Sequence, residues 1–211
     1  MKTLLVCSDA RRGWYPCDPL ICALNLLGVA VALYVIVAIC PPAAVAVFPG
    51  CVALACFASC IYHWLPHARW RYNIDQVMIL ALIAATFVPY WALKLAPFEM
   101  SVRLSVLGFA VVAGGTILVV LEGYRPLRAA LFGGVALFGL VTAYQELPLW
   151  MPPEGVVKFW TGVALYAIQF AIWTFRWPNP LPDICRFSEV QHVFALPAMV
   201  LHMDAAMLLW Q

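Results

Sequence analysis

Charged side chains are scarce in this sequence. Asp, Glu, Lys and Arg make up only 10% of its 211 residues, whereas an average soluble domain has about 25%. Hydrophobic residues reach 65%, compared with roughly 45–50% in soluble domains. One soluble core cannot hide this much apolar surface, so the composition excludes an ordinary water-soluble protein and indicates a membrane protein.

The sequence also lacks a strong excess of either charge. Its net charge of +2 is too small to indicate nucleic-acid binding, so we expect membrane lipid as the partner and no nucleic acid. The apolar patch that follows Lys2 is very short. A secretory signal peptide needs roughly 7–15 apolar residues, so none is predicted here.

A regular cysteine framework is absent as well. Four of the eight cysteines, Cys22, Cys51, Cys56 and Cys60, lie inside apolar runs, where thiols pack as small hydrophobic groups. The remaining spacings match no disulfide pattern of a small secreted domain. We therefore predict no disulfide scaffold.

Long apolar runs dominate the chain. Each is close to the roughly 20 residues that a helix needs to cross the hydrocarbon layer. The predicted spans cover approximately residues 20–40, 43–65, 74–93, 102–121, 129–144, 156–175 and 187–210. Pro89 is expected to kink the third span, and the proline-rich residues 146–154 are expected to form a loop. The sequence thus predicts an all-α bundle of seven transmembrane helices over residues 20–211, preceded by a polar lead-in over residues 1–19.

The basic residues predict the orientation. Nine of the twelve Lys and Arg residues fall on one side of this topology: Lys2, Arg11, Arg12, Arg69, Arg71, Arg125, Arg128, Arg176 and Arg186. Only Lys94, Arg103 and Lys158 fall on the other side. Positive loops face the cytoplasm, so we predict a cytoplasmic N-terminus and an external C-terminus.

Several polar residues fall near the cytoplasmic ends of three spans. Ser59 and His63 are four residues apart and share one face of the second helix. Asp75 opens the third helix, and His192 lies one turn into the seventh. An ionisable group inside a span costs roughly 2.5–3.5 kcal/mol and usually has a function or a partner. His202 lies about 15 Å deeper than His192 at 1.5 Å per residue, so we do not expect it to join them.

Residue types alone leave the role of this group open. Two histidines and a carboxylate are suitable zinc ligands, but buried histidines satisfied by hydrogen bonds are common. Asp75 could simply be favoured by the helix macrodipole. Glu189, three residues before His192, could accept a proton or be a solvated acid at a helix start.

The order and spacing of these residues resemble the haemolysin III group of the progestin and adipoQ receptor family, from about Ile21 to the C-terminus. That group closes its second helix with Ser-x-x-x-His, opens its third with Asp, and opens its seventh with a histidine-containing motif. The matching stretches are Ser59–His63, Asp75, Thr86–Pro89, Thr161–Gly162, Trp177–Pro182, Phe187–His192 and His202.

The resemblance implies a zinc site in a seven-helix membrane protein. It assigns His63 and His192 as Zn2+ ligands, Asp75 as the group that positions a water, and Ser59 as an orienting or oxyanion-type donor. Ser188 occupies the remaining ligand position, where the family has histidine. A serine hydroxyl is a poor neutral zinc ligand. Asn25 and its neighbour also stand where the bacterial group has Thr-His.

Three outcomes for the site follow. Asp75 and water could complete a two-histidine site; Cys60, Cys185 or His67 could replace the missing ligand; or the metal could be lost. The resemblance implies a zinc-dependent hydrolase of lipid amides or esters. The alternative is a non-catalytic lipid-binding or receptor-like protein, and pore formation, implied only by the haemolysin label, ranks last. The short chain resembles bacterial members, so we expect a multi-pass protein of the bacterial plasma membrane.

Overall fold

The chain folds into a bundle of helices. The computed structural model describes residues 17–65, 68–121, 124–181 and 185–210. Within these residues the only β-type pairing is an isolated bridge between Leu181 and Cys185. The α-helices are α1 (Pro19–Tyr34), α2 (Ala43–Trp64), α3 (Arg69–Ala85), α4 (Val88–Lys94), α5 (Pro97–Val120), α6 (Arg125–Trp150), α7 (Pro153–Phe175) and α8 (Phe187–Trp210).

Seven helical segments are long and apolar enough to cross a membrane. A π-helical stretch, Val35–Ile39, extends α1 into the first span. The third span is divided into α3 and α4, and α4 has Pro89 near its start, where the sequence predicted a kink. The predicted all-α, seven-span fold is confirmed.

The helices extend further than the apolar runs. The third span begins at Arg69 and not near Ile74, so Asp75 lies inside α3 and not at its start. Likewise, α6 continues through Pro148 to Trp150 and α7 begins at Pro153. The predicted loop over residues 146–154 is therefore wrong except for Met151 and Pro152. Backbone hydrogen bonds remain internal to a helix whatever the side chains, so polar residues at the membrane surface can continue it.

The seven spans alternate in direction, which places two sets of helix ends at opposite sides of the bundle. One side contains the starts of α1, α3, α6 and α8 and the ends of α2, α5 and α7; we call it the histidine end. Three of the cations that predicted the orientation, Lys2, Arg11 and Arg12, lie outside the described residues, as does His67.

The cysteines differ in one respect from the sequence prediction. Cys17, two residues before the start of α1, is disulfide-bonded, which the cysteine spacing did not predict. The other cysteines in the described part of the chain are free. Cys22, Cys56 and Cys60 among them are buried, as expected for thiols that pack between helices.

Candidate functional site

The chain before α1 is tied to the end of α2. The backbone N–H of Asp18 donates to the carbonyl of His63 over 3.1 Å, and that of Cys17 donates to the carbonyl of Trp64 over 3.4 Å. Carbonyls in the last turn of a helix lack partners within the helix, so these bonds satisfy the end of α2. They also place the Asp18 side chain beside the His63 ring.

Asp18 links His63 to Arg186. It stands at the N-cap of α1, yet its side chain does not cap that helix. Instead, Oδ2 accepts a hydrogen bond from Nδ1 of His63 at 2.7 Å, and Oδ1 accepts one from Nη2 of Arg186 at 2.7 Å. An ionised carboxylate can only accept, so Nδ1 of His63 carries the proton and its lone pair is on Nε2.

Asp18 is a site residue that was not predicted from the sequence. An acid directly before Pro19 at the start of α1 is the ordinary signal of a helix N-cap. Asp18 was therefore assigned to the polar lead-in. No sequence pattern predicts its contacts with His63 and Arg186, because both residues are distant from it along the chain.

The ring of His192 on α8 lies next to the ring of His63 on α2. Its Nδ1 donates to the backbone carbonyl of Ser188 over 2.6 Å, so its lone pair also lies on Nε2. The two imidazole centroids are 5.5 Å apart, and the rings are nearly perpendicular at 85°. The structure thus brings together the histidines of α2 and α8 that the sequence analysis selected.

Asp75 and Ser59 lie in the same region. The Asp75 carboxyl on α3 is only 4% exposed, and Ser59 and His63 are close enough to interact with it. Its Oδ2 accepts a hydrogen bond from Nε2 of Gln76 at 3.0 Å. Its Oδ1 has no hydrogen-bond partner among the described residues, so this buried oxygen can accept a hydrogen bond from a further donor.

Ser188 takes a different role from that of a ligand. Its hydroxyl donates to Oε2 of Glu189 over 2.8 Å. Glu189 is only 3% exposed and also accepts from the backbone N–H and Nη2 of Arg186. The expectation that Glu189 is a solvated acid is therefore wrong: it is a buried acceptor that orders the start of α8.

Arg186 joins the two carboxylates. It lies before α8, where partial burial lowers the pKa of its guanidinium, but hydrogen bonds and charges from Glu189 and Asp18 outweigh this and raise the pKa above its ordinary value. Arg186 is therefore cationic at any physiological pH. It connects the first residues of α8 to the Asp18–His63 pair.

The remaining candidate ligands do not complete a metal site. Cys60 is buried on α2, and its carbonyl accepts a weak bond from Sγ of Cys22 at 3.8 Å. Cys185 lies in the β-bridge with Leu181, and His67 is not described. Across residues 17–65, 68–121, 124–181 and 185–210 no three His, Cys, Asp or Glu side chains are grouped to hold a metal. The described residues therefore offer two imidazole nitrogens to a metal, those of His63 and His192, and no third protein ligand.

A small, mostly apolar cavity reaches His192. Asn25 of α1, Cys56 of α2 and Met199 of α8 are among the residues that line it. Asn25 is buried, and its Nδ2 has no hydrogen-bond partner in the described part of the chain. An amide donor and an imidazole thus face one apolar space.

His202 lies apart from this group, as its depth predicted. Its ring stacks on Tyr166 at a centroid distance of 5.4 Å and meets the edge of Phe159 at 4.9 Å. It is fully buried, and neither ring nitrogen has a partner in the described residues. His202 is therefore part of an aromatic cluster in the bundle and not of the His63–His192 pair.

The family of the chain follows from one comparison. A family model described as haemolysin-III related matches residues 19–203. The matched region begins at the start of α1 and ends within α8, so it includes the His63–His192 pair, Asp75 and Ser59. This chain belongs to the haemolysin III-related family of membrane proteins.

Proposed function

We propose that the protein is a zinc-dependent hydrolase of ester or amide bonds in membrane lipids, with His63 and His192 as metal ligands. One observation carries this proposal. Each ring donates its Nδ1–H to a fixed acceptor, a carboxylate for His63 and a backbone carbonyl for His192. Histidines that bind metals through Nε2 are oriented in this way.

The other side chains have matching roles. The unpaired Oδ1 of Asp75 accepts a proton from the attacking water and orients it, and Ser59 holds the same carboxyl in place. His63 and His192 would hold the zinc, which would supply a Lewis acid and lower the pKa of a bound water towards about 7. Water would complete the ligand set, because the Ser188 hydroxyl donates to Glu189.

The cavity beside His192 has a volume of only about 10 Å³, which is room for about one water molecule. It can take a small polar group of a substrate, while an acyl chain would lie in the surrounding lipid. The unpaired Nδ2 of Asn25 can donate to the oxygen that becomes negative when water attacks a carbonyl. We therefore assign Asn25 as the polar contact of the substrate.

The distribution of basic residues supports an orientation of the bundle in the membrane. Of the described cations, Arg69, Arg71, Arg125, Arg128, Arg176 and Arg186 lie at the histidine end. Lys94, Arg103 and Lys158 lie at the other end. This asymmetry supports a histidine end that faces the cytoplasm, in the plasma membrane of a bacterium.

Metal content tests the proposal directly. Purified wild type and the variants His63→Ala and His192→Ala are compared by elemental mass spectrometry, with His202→Phe as the matched control. We expect about one zinc per chain in the wild type and the control, and its loss in the other two. Equal metal in the wild type and His63→Ala would remove this mechanism.

A second candidate is a non-catalytic, lipid-binding or receptor-like protein with a decayed metal site. The hydrogen bond from Ser188 to Glu189 favours it, because the ligand position of the family is occupied by a residue with another partner. If this candidate is right, the wild type will hold no zinc and hydrolyse no lipid, and the variant Ser188→His will gain metal. Wild-type hydrolysis that Asp75→Asn abolishes would exclude this candidate.

A further inference from the structure

Three arginines of the histidine end lie near one tyrosine. Arg125 and Arg128 lie in the first turns of α6, and Arg176 follows α7. All three interact electrostatically with Tyr72 of α3. Nη1 of Arg128 donates to the Tyr72 hydroxyl, and the guanidinium lies 4.6 Å from the ring centroid.

These three cations are not neutralised. Arg128 is only 6% exposed, and its Nε has no hydrogen-bond partner. In the part of the chain that the structure describes, Arg125, Arg128 and Arg176 form no ion pair. The opposite end differs: Arg103 pairs with Glu99 and Glu146, and Lys158 pairs with Glu154 and Asp204. Within the described residues these cations therefore have no ion-pair partner, although the buried carboxyl of Asp75 also interacts with Tyr72.

The start of α6 adds to this positive charge. The end of α7 offsets part of it, because Arg176 is at its C-cap and Nη2 of Arg125 donates to the carbonyl of Trp173 at 2.5 Å. α6 begins at Arg125 and has no acidic residue in its first turn. A helix N-terminus carries a partial positive charge and unpaired N–H groups, so it favours anions and disfavours arginines. A buried cation without a counter-charge is costly as well. An anion held between these groups would offset the repulsion of the arginines, the partial charge of the helix N-terminus and the cost of the buried cation.

We propose that Arg125, Arg128 and Arg176 bind the phosphate group of an anionic membrane lipid. The planar guanidinium matches phosphate oxygens with paired hydrogen bonds. The guanidinium of Arg125 lies 5.0 Å from the ring centroid of Trp173, and Trp177 next to Arg176 is exposed. Tryptophans of this kind lie at the headgroup level of a bilayer, which favours a lipid over a free phosphate ion. This site does not depend on hydrolysis at His63 and His192.

Native mass spectrometry of the full chain in detergent tests the site. The probes are phosphatidylglycerol, phosphatidylcholine and inorganic phosphate. We expect the wild type to retain one phosphatidylglycerol in preference to phosphatidylcholine. Arg125→Gln and Arg176→Gln should each weaken retention about fivefold, the effect of one basic residue near anionic lipid. Lys94→Gln removes one exposed cation from the opposite end and should change nothing.

Arg128→Gln is expected to have the largest effect, but it alters a buried residue and could impair folding. The double variant Arg125→Gln/Arg176→Gln changes a half-buried and an exposed side chain, so it carries the test if Arg128→Gln does not purify. Equal retention of phosphatidylglycerol by the double variant and the wild type overturns the proposal. Equal binding of phosphatidylcholine and phosphatidylglycerol also overturns it. Binding of inorganic phosphate alone would overturn the assignment to lipid.

Discussion

Asp18→Asn is the most informative single change in the histidine site. The carboxylate accepts from two donors, Nδ1 of His63 and Nη2 of Arg186. An asparagine of the same shape has one acceptor oxygen and one NH2 group, so it faces at least one of these donors with a donor. A hydrogen bond to a charged group contributes about 1.5–3 kcal/mol.

The two contacts of Asp18 do not contribute equally to the free energy of unfolding. The His63–Asp18 contact is nearly buried, at 12% and 9% side-chain exposure. Arg186 is 45% exposed and keeps its contact with Glu189, so its share is reduced by solvent to at most about 1 kcal/mol. We expect Asp18→Asn to lower the free energy of unfolding by about 2–3 kcal/mol in total.

Thermal unfolding in detergent measures this loss. At about 2–4 °C per kcal/mol for a chain of this size, the expected fall in Tm is about 4–12 °C. Asp204→Asn is the matched control, because Asp204 also pairs with a cation but at the opposite end, where its side chain is 42% exposed. Exposed ion pairs contribute little, so its fall in Tm should be clearly smaller. Equal shifts in the two variants would show that Asp18 does not support the histidine site.

Two further predictions concern the packing of α6. A Cβ on Gly139 would collide with the ring of Phe87, whereas one on Gly134 would meet nothing within 4 Å. Gly139→Ala should therefore lower Tm, and Gly134→Ala should leave it unchanged or raise it slightly. An unchanged Tm for Gly139→Ala would contradict this close contact. Arg103 binds Glu146 through two hydrogen bonds of 2.7 and 2.6 Å. Arg103→Gln and Glu146→Gln should therefore each lower Tm. The Tm of the double variant should fall by less than the sum of the two single shifts. Strictly additive shifts would argue against this pair.

The polar groups could be predicted only in part. Ser59 and His63 share a helix face by spacing alone, and the depth of His192 follows from its position in the last span. The partner of Ser188 could not be predicted, because the family pattern assigns that position a ligand role while the structure directs its hydroxyl to Glu189. Local hydrogen bonds at the start of α8 decide this orientation, and sequence spacing does not report them.

The amino-acid sequence by itself determined the number of spans and their approximate limits. A helix that crosses hydrocarbon must satisfy its backbone internally and be apolar along about 20 residues, and both requirements are visible in composition. Only the tertiary structure decided which sides of the helices meet. Lipid and the protein core are both apolar, so an apolar helix shows no clear inward face. The contact of Asp18 with His63 and the grouping of Arg125, Arg128 and Arg176 depend on these rotations about the helix axes, so they emerge only when the helices are packed.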